Sequence, residues 1–135
     1  MKSNVFKKYY IAIVNGILNK KSGIIDAPIA RKKNSIIERC VDNNGAYAIT
    51  EYSVIKEFKN MSLVYLHLQT GRTHQIRVHM AYMGHPIVGD SLYGTKSDLI
   101  NRQALHACKV TFIHPISKEY VNFESAFPQD MELIL

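Results

Sequence analysis

The side chains best suited to chemistry are concentrated in one stretch, from Leu68 to Gly94 (LQTGRTHQIRVHMAYMGHPIVGDSLYG). It contains two arginines, three histidines and an aspartate, punctuated by four glycines. Arginines and free N–H groups at a helix start bind anions, histidines ligate metals or move protons, and an aspartate acts as base or nucleophile. The stretch therefore predicts a functional site, and its spacing discriminates between these chemistries.

An anion site is the first possibility. A predicted strand ends before Gly71, which allows a tight turn, and Thr73 is the expected N-cap of a helix over residues 73–83. Thr73 and Arg77 are four residues apart and share a helix face, with Arg72 at the entrance. Such a site can hold a phosphate, or a carboxylate supplied from elsewhere in the fold. The alternative is that both arginines are ordinary surface charges.

The spacing of the histidines argues against a metal site. His74 and His79 are five residues apart, about 140° around a helix, so their side chains do not share a face. No cysteine lies near them, and Cys40 and Cys108 are expected to be unpaired, buried thiols.

Asp90 lies in a predicted loop, GHPIVGD, between Pro86 and the LYG that follows. An aspartate in this context acts as a general base, caps the turn or pairs with an arginine. The sequence favours the last two interpretations and leaves the first open.

The distribution of charge points to a polyanionic partner. Residues 1–77 hold 13 Lys and Arg against 5 Asp and Glu, whereas residues 78–135 hold 4 against 6. A basic half of this kind is typical of nucleic-acid binding, although a solvated basic surface gives the same count. The chain has no apolar run long enough for a membrane span and no signal-peptide pattern, so a cytoplasmic location is expected.

The rest of the chain must supply the elements that hold this stretch. Alternating apolar residues bounded by turn residues predict about seven strands, at 5–15, 23–29, 36–41, 46–58, 62–70, 104–113 and 119–124. In the first strand, apolar residues two apart predict a single buried face. With one clear helix, the expected fold class is α+β, a mixed and mainly antiparallel sheet with few helices.

The same residues carry a family resemblance. TGRTHQIRVHMAYMGHPIVGDSLYG resembles the C-terminal signature of the RluA/RluD-type pseudouridine synthases. The resemblance extends over nearly the whole chain, because KKYYIAIVNG (with Lys8, Tyr10 and Gly16), GIIDAPIAR, RQALHA and FESAFPQD are similar to further segments of that family.

The resemblance implies that residues 1–135 are the C-terminal portion of a catalytic domain that isomerises uridine to pseudouridine in ribosomal or transfer RNA, without a cofactor or metal. It implies that Tyr10 stacks on the target base and that Arg77 pairs with the nucleophilic aspartate. We further expect RNA contacts from a set of polar residues, namely Lys8, Arg31, Arg72, Thr73, His74 and Gln75.

One feature of the family is missing from this sequence. Its nucleophilic aspartate follows an Arg-Leu pair upstream of the tyrosine strand, and none of the five aspartates here lies in that context. We therefore expect that the N-terminal portion with the nucleophile is absent, that this chain alone is inactive, and that exposed sheet edges favour self-association. The alternatives are a non-catalytic RNA-binding module derived from the fold and a domain that binds a phosphorylated metabolite at Thr73.

Overall fold

The computed structural model describes residues 6–135, which form eight β-strands and two α-helices. The strands are β1 (Phe6–Asn15), β2 (Ser22–Asp26), β3 (Ile29–Arg31), β4 (Arg39–Val41), β5 (Ile49–Phe58), β6 (Met61–Leu68), β7 (Leu105–Ile113) and β8 (Tyr120–Glu124). The helices are α1 (Gln75–Tyr82) and α2 (Gln129–Glu132). Every strand pair in the described part is antiparallel, which confirms the predicted α+β class.

The main sheet has six strands in the order β2-β5-β6-β1-β7-β8, and β3 and β4 form a separate two-stranded sheet. The prediction of a single buried face for the first strand is wrong, because Ala12, Ile13 and Val14 are all fully buried. Consecutive side chains of a strand point to opposite faces, so three buried residues in a row require cover on both. That pattern is typical of a central strand. Residue 5, the first of the predicted strand, lies outside the described residues.

The hairpin predicted around Lys59 and Asn60 is confirmed. β5 and β6 pair in antiparallel register, and both turn residues have positive φ, 49° and 59°. Two left-handed residues in a row form the turn whose twist matches that of the flanking strands. This hairpin brings Leu68, the last residue of β6, beside Lys8 of β1.

The strand predicted over residues 36–41 is shorter than expected, since β4 covers only Arg39–Val41. Ile36 and Ile37 are 84% and 65% exposed. Their carbonyl groups accept hydrogen bonds from Nη1 of Arg39, at 3.2 and 2.9 Å, rather than from a neighbouring strand. A guanidinium that satisfies two consecutive carbonyls holds the chain in a loop.

The start of α1 also differs from the prediction. The N-cap is His74, with φ 57° in the left-handed region, and no side chain caps the helix, so Thr73 does not have the predicted capping function. A tight turn forms first, in which the Gln75 N–H donates to the Arg72 carbonyl at 3.0 Å. The side-chain carbonyl of Gln75 in turn accepts from the Arg72 N–H at 3.0 Å, and the N-cap lies one residue later than predicted, at His74 instead of Thr73.

The end of α1 is as predicted. Gly84 follows the last residues of the helix with φ +85°, a conformation that glycine adopts without strain. Its N–H donates to the Ala81 carbonyl at 3.0 Å, and the His85 N–H donates to the Met80 carbonyl at 2.9 Å. This bonding pattern terminates the helix and starts the loop that carries Asp90.

Candidate active site

A cleft of about 400 Å³ lies at the junction of β1, the turn before α1 and the start of β7. Its lining residues are Tyr10, Leu68, Arg72, His74, Gln75, Ile76, Arg77, Gln103 and Leu105. Tyr10 is half-buried, and this burial raises the pKa of its phenol, which therefore stays protonated at neutral pH. The cleft thus places an aromatic ring beside two arginines and a histidine.

Arg77 is held in the cleft wall by Asp90. Nε and Nη2 of Arg77 donate to Oδ2 and Oδ1 of Asp90, both at 2.9 Å, in a bidentate pair. The Asp90 side chain is fully buried and that of Arg77 is 15% exposed. Oδ1 of Asp90 also accepts from the backbone N–H groups of Leu92 and Tyr93, at 3.1 and 3.2 Å. Asp90 therefore both pairs with an arginine and caps a turn, the two functions that its sequence context favours.

The protonation states of this pair follow from its contacts. Burial by itself raises the pKa of Asp90, but the hydrogen bonds from Arg77, Tyr93 and Leu92 outweigh it, and the pKa of the carboxyl is lowered. The hydrogen bond to Asp90 raises the pKa of Arg77. Both groups are therefore charged at neutral pH, and four hydrogen bonds occupy the Asp90 carboxylate.

A glycine allows Asp90 to reach this position. Gly89 has φ +82°, and a Cβ there would lie 2.1 Å from the Arg102 carbonyl oxygen. Only glycine fits both the left-handed backbone and this close approach. The loop after α1 can therefore pack against the segment before β7 while it turns Asp90 toward Arg77.

Tyr93 joins the arginine to the histidine of the cleft. The guanidinium of Arg77 lies 5.1 Å from the centre of the Tyr93 ring, within cation–π range. The Tyr93 hydroxyl accepts from the Arg39 N–H at 2.9 Å and lies 2.7 Å from Nδ1 of His74. The Tyr93 hydroxyl can donate its proton to Nδ1 of His74 or accept one from it, so this contact fits either neutral tautomer of the histidine. Burial, followed by the charges of Arg77 and Arg39, lowers the pKa of His74, so the neutral ring is favoured.

A buried chain of hydrogen bonds fixes the turn that carries Arg72 and His74. Gln75 is 2% exposed, and its side-chain carbonyl accepts from the Thr70 hydroxyl at 2.8 Å as well as from the Arg72 N–H. Its Nε2 donates to the Thr50 hydroxyl at 2.9 Å. The amide of Gln75, predicted to contact RNA, is thus engaged within the fold and anchors the turn to β5.

This series of hydrogen bonds ends at His79, which is fully buried. Its Nε2 lies 2.9 Å from the Ala27 carbonyl and its Nδ1 lies 2.8 Å from the Thr50 hydroxyl. A carbonyl can only accept, so Nε2 carries the proton and Nδ1 accepts from Thr50. Burial lowers the pKa of His79, in agreement with this neutral form. His79 is therefore a structural residue on the opposite side of the helix from the cleft residue Arg77.

The remaining predicted RNA contacts lie beside the cleft. Arg31 and Thr73 line a neighbouring groove of about 340 Å³, and Arg72 lines both cavities. Lys8 is exposed and lies two residues before Tyr10, on the same face of β1. The structure thus brings Tyr10, Arg72, His74, Gln75 and Arg77 to one cleft, while their contacts with RNA stay predictions.

Two residues of this region are not among the sequence-predicted site residues. Tyr93 contacts both Arg77 and His74, and Arg39 contacts Tyr93 through its backbone. The sequence does indicate Tyr93, because it lies three residues after Asp90, and an aspartate that caps a turn accepts from the N–H at this spacing. Arg39 has no comparable signal, since its approach depends on the pairing of β3 with β4.

Within residues 6–135, no group of three His, Cys, Asp or Glu side chains is arranged to hold a metal ion. His74 and His79 are engaged with Tyr93 and Thr50 respectively. Cys40 and Cys108 are both unpaired, as predicted, but each is only partly buried. Neither helix of the described part has the length and apolar character needed to cross a bilayer.

Comparison with known proteins identifies the class of protein to which this fold and cleft belong. Residues 1–82 match the family model described as RNA pseudouridylate synthase. The match covers more than half of the chain, which therefore belongs to this family. The predicted RluA/RluD-type resemblance is confirmed.

Particular relatives support the assignment. The chain is 46% identical over 134 residues to a Bacillus subtilis protein named uncharacterized RNA pseudouridine synthase YjbO, with 99% of this chain and 47% of that protein covered. It is 43% identical over 139 residues to ribosomal large subunit pseudouridine synthase D of Zymomonas mobilis, with 93% and 43% covered. The chain thus spans less than half the length of these relatives.

A solved structure agrees with the sequence relatives. Human RNA pseudouridylate synthase domain containing 1 superposes with a TM-score of 0.79 at 29% identity, over 93% of this chain and 56% of that chain. The shared fold therefore covers nearly the whole of this chain but little more than half of the human protein.

We predict that the buried pair is essential for stability. Asp90→Asn leaves the largely buried Arg77 guanidinium without a counter-charge, and we expect a loss of about 3–5 kcal/mol in the free energy of unfolding. The matched control is Asp130→Asn, which breaks an equally bidentate pair with Arg102 whose side chains are 42% and 38% exposed. Urea denaturation measures both. Similar losses in the two variants would contradict this interpretation of Asp90.

We also predict that His79 contributes to the pH dependence of the stability. Its pKa is lowered in the folded state, so the unfolded chain binds a proton first as the pH falls below about 6.5. The free energy of unfolding should therefore decrease with falling pH from about 6.5 down to the folded pKa, by up to about 1.4 kcal/mol per pH unit from this group. In the His79→Gln variant the slope of the free energy of unfolding against pH should be smaller, by up to the contribution of one titrating group. An identical slope in variant and wild type, from urea titrations between pH 5 and pH 8, would show that His79 is not its source.

Proposed function

We propose that this chain supplies the tyrosine and arginine side of an active site that isomerises uridine in RNA to pseudouridine. The observation that carries the proposal is the convergence of Tyr10, Arg72, His74 and Arg77 on one cleft in a member of the RNA pseudouridylate synthase family. A uracil ring that has left its stack fits beside an aromatic side chain, and the cations suit its carbonyls and neighbouring phosphates.

The chemistry is an isomerisation that balances without an oxidant, reductant or cofactor. The bond from the ribose carbon to N1 of uracil breaks and a bond from the same carbon to C5 forms. C5 loses its hydrogen as a proton, and N1 gains one. The protein must supply three things. They are a nucleophile or general base that acts on the ribose, a surface on which the released uracil can turn, and positive charge that holds the uracil.

The cleft residues suit the second and third of these tasks. Tyr10 supports the base, and Arg72 and Arg77 supply positive charge. Arg77 keeps Nη1 for a ligand, because only its Nε and Nη2 form hydrogen bonds within residues 6–135. A nucleophilic carboxylate at Nη1 would be kept ionised and aimed by the arginine, as the resemblance implies.

None of the aspartates in this sequence has the surroundings expected of the nucleophile. Asp90 is fully buried and its two oxygens accept four hydrogen bonds, so it cannot attack a ribose. The other four aspartates are absent from the cleft lining. We propose that residues 1–135 are the C-terminal portion of a catalytic domain and that a segment outside these residues contributes the aspartate.

The experiment is reconstitution in two parts. Purified chain is incubated with ribosomal and transfer RNA transcripts, alone or with the N-terminal part of the YjbO relative that this chain does not match. Pseudouridine is measured by mass spectrometry of the digested RNA. We expect no product from the chain alone and product from the mixture, with a loss of about 100-fold or more when Arg77 is changed to Ala.

Each outcome discriminates between the candidate functions. Product from the chain alone contradicts the missing-nucleophile proposal. If the mixture binds RNA in a salt-dependent way but gives no product, the alternative, a non-catalytic RNA-binding module, is favoured. The absence of an Arg-Leu-Asp segment from this sequence supports that alternative. Arg77→Lys is the matched control for fold, because it retains a charge but not the bidentate geometry.

Self-association and a cytoplasmic location stay predictions. The edge strand β8 exposes Tyr120 and Phe123, which are 66% and 62% accessible, and this apolar edge supports association between copies. Sedimentation velocity over a hundredfold concentration range tests it. A single monomer boundary at all concentrations, unchanged by Phe123→Lys, would exclude association through this edge.

A further inference from the structure

The groove beside the cleft is the second polar cavity of the region, and it has the chemistry of an anion site. It lies between the two-stranded sheet of β3 and β4 and the turn before α1, and its polar lining consists of Arg31, Arg39, Arg72 and Thr73. We propose that this groove binds a backbone phosphate of the RNA strand next to the target uridine. This proposal rests on the proposed function and names a subsite beyond the cleft.

The charge of the groove is not neutralised by the protein. Within residues 6–135, no ion pair includes Arg31, Arg39 or Arg72. Glu38, the acidic residue of the same hairpin, is engaged by Lys32 at 2.9 Å instead. Three guanidinium groups around one cavity repel each other, and a bound phosphate relieves this repulsion with charge-assisted hydrogen bonds.

Arg39 and Arg72 are held in place before any ligand binds. Arg31 and Arg39 are directly opposite each other in the β3–β4 register. Nη1 of Arg39 is fixed on the carbonyls of Ile36 and Ile37. Nε of Arg72 donates to the Tyr47 carbonyl at 2.7 Å, and its two terminal amino groups form no hydrogen bond in the described part of the chain. Guanidinium groups anchored in this way lose little conformational entropy on binding.

The groove adjoins the cleft at Arg72. Because Arg72 lines both cavities, we place the backbone of a nucleotide whose base lies beside Tyr10 on the Arg72 side of the groove. Tyr93 contacts one residue of each cavity, since its hydroxyl accepts from the Arg39 N–H and lies 2.7 Å from Nδ1 of His74. An extruded uridine is flanked by splayed, accessible backbone, which is the form of RNA that such a groove accommodates.

The test is fluorescence anisotropy with a nine-nucleotide RNA that contains one central uridine, at several salt concentrations. The groove variants are Arg31→Gln and Arg39→Gln, the cleft variant is Tyr10→Ala, and the charge-matched control is Lys118→Gln in the turn between β7 and β8. We expect each groove variant to weaken binding about five- to tenfold. Each should also reduce, by about 0.7, the steepness with which the logarithm of the association constant falls with the logarithm of the salt concentration. Lys118→Gln should change neither quantity, and Tyr10→Ala should weaken binding with the slope unchanged.

The outcomes separate the groove from the function on which it rests. If Tyr10→Ala weakens binding and both groove variants bind as wild type does, the groove proposal is overturned and the proposed function stands. An equal effect of Lys118→Gln and the groove variants also overturns it, because the charge would then act without a site. If the wild-type chain does not bind the RNA, the groove proposal fails, and the proposed function is decided separately by the reconstitution. Arg31→Gln separates binding from folding, since the Arg31 side chain forms no hydrogen bond or ion pair within residues 6–135.

Discussion

The buried pair of Arg77 and Asp90 is the constraint on which the cleft depends. Two hydrogen bonds of 2.9 Å fix the plane of the guanidinium, and a fully buried carboxylate cannot be left without its partner. The pair joins α1 to the loop that follows it, so the helix, the loop and the cleft wall are specified together. Asp90 is fully buried, and its carboxylate contacts Arg77 and the turn that follows, so it holds the arginine in position.

The surrounding structure is arranged to support this pair. Gly89 allows the loop to pass close to the Arg102 carbonyl, and the Asp90 carboxylate caps the turn that presents Tyr93 to the arginine. On the other side, the hydrogen-bond chain through Gln75 anchors the turn that carries Arg72. Within these contacts the polar groups are satisfied internally, and the side chains that face the cleft keep their remaining donors for a ligand.

The sequence predicted the features that depend on local order. The Lys59–Asn60 hairpin, Gly84 at the helix end and the family signature all follow from neighbouring residues, and all are confirmed. The start of α1 was not predictable in this way, because the side chain of Gln75 folds back on the Arg72 N–H and overrides the capping preference of Thr73. The family resemblance implies that Arg77 pairs with a nucleophilic aspartate, whereas the structure shows its Nε and Nη2 on Asp90. Asp90 is a candidate from its sequence context, but only the packed loop shows that its carboxylate reaches Arg77.

We propose above that the fixed Arg77 and the Tyr10 ring together receive a uridine in the cleft. A crystal structure of this chain with a bound uridine-containing RNA tests it most directly. We expect a uracil ring against Tyr10, with Nε and Nη2 of Arg77 still on Asp90 and Nη1 directed to the nucleotide. A nucleotide bound elsewhere, or an Arg77 released from Asp90, would contradict it.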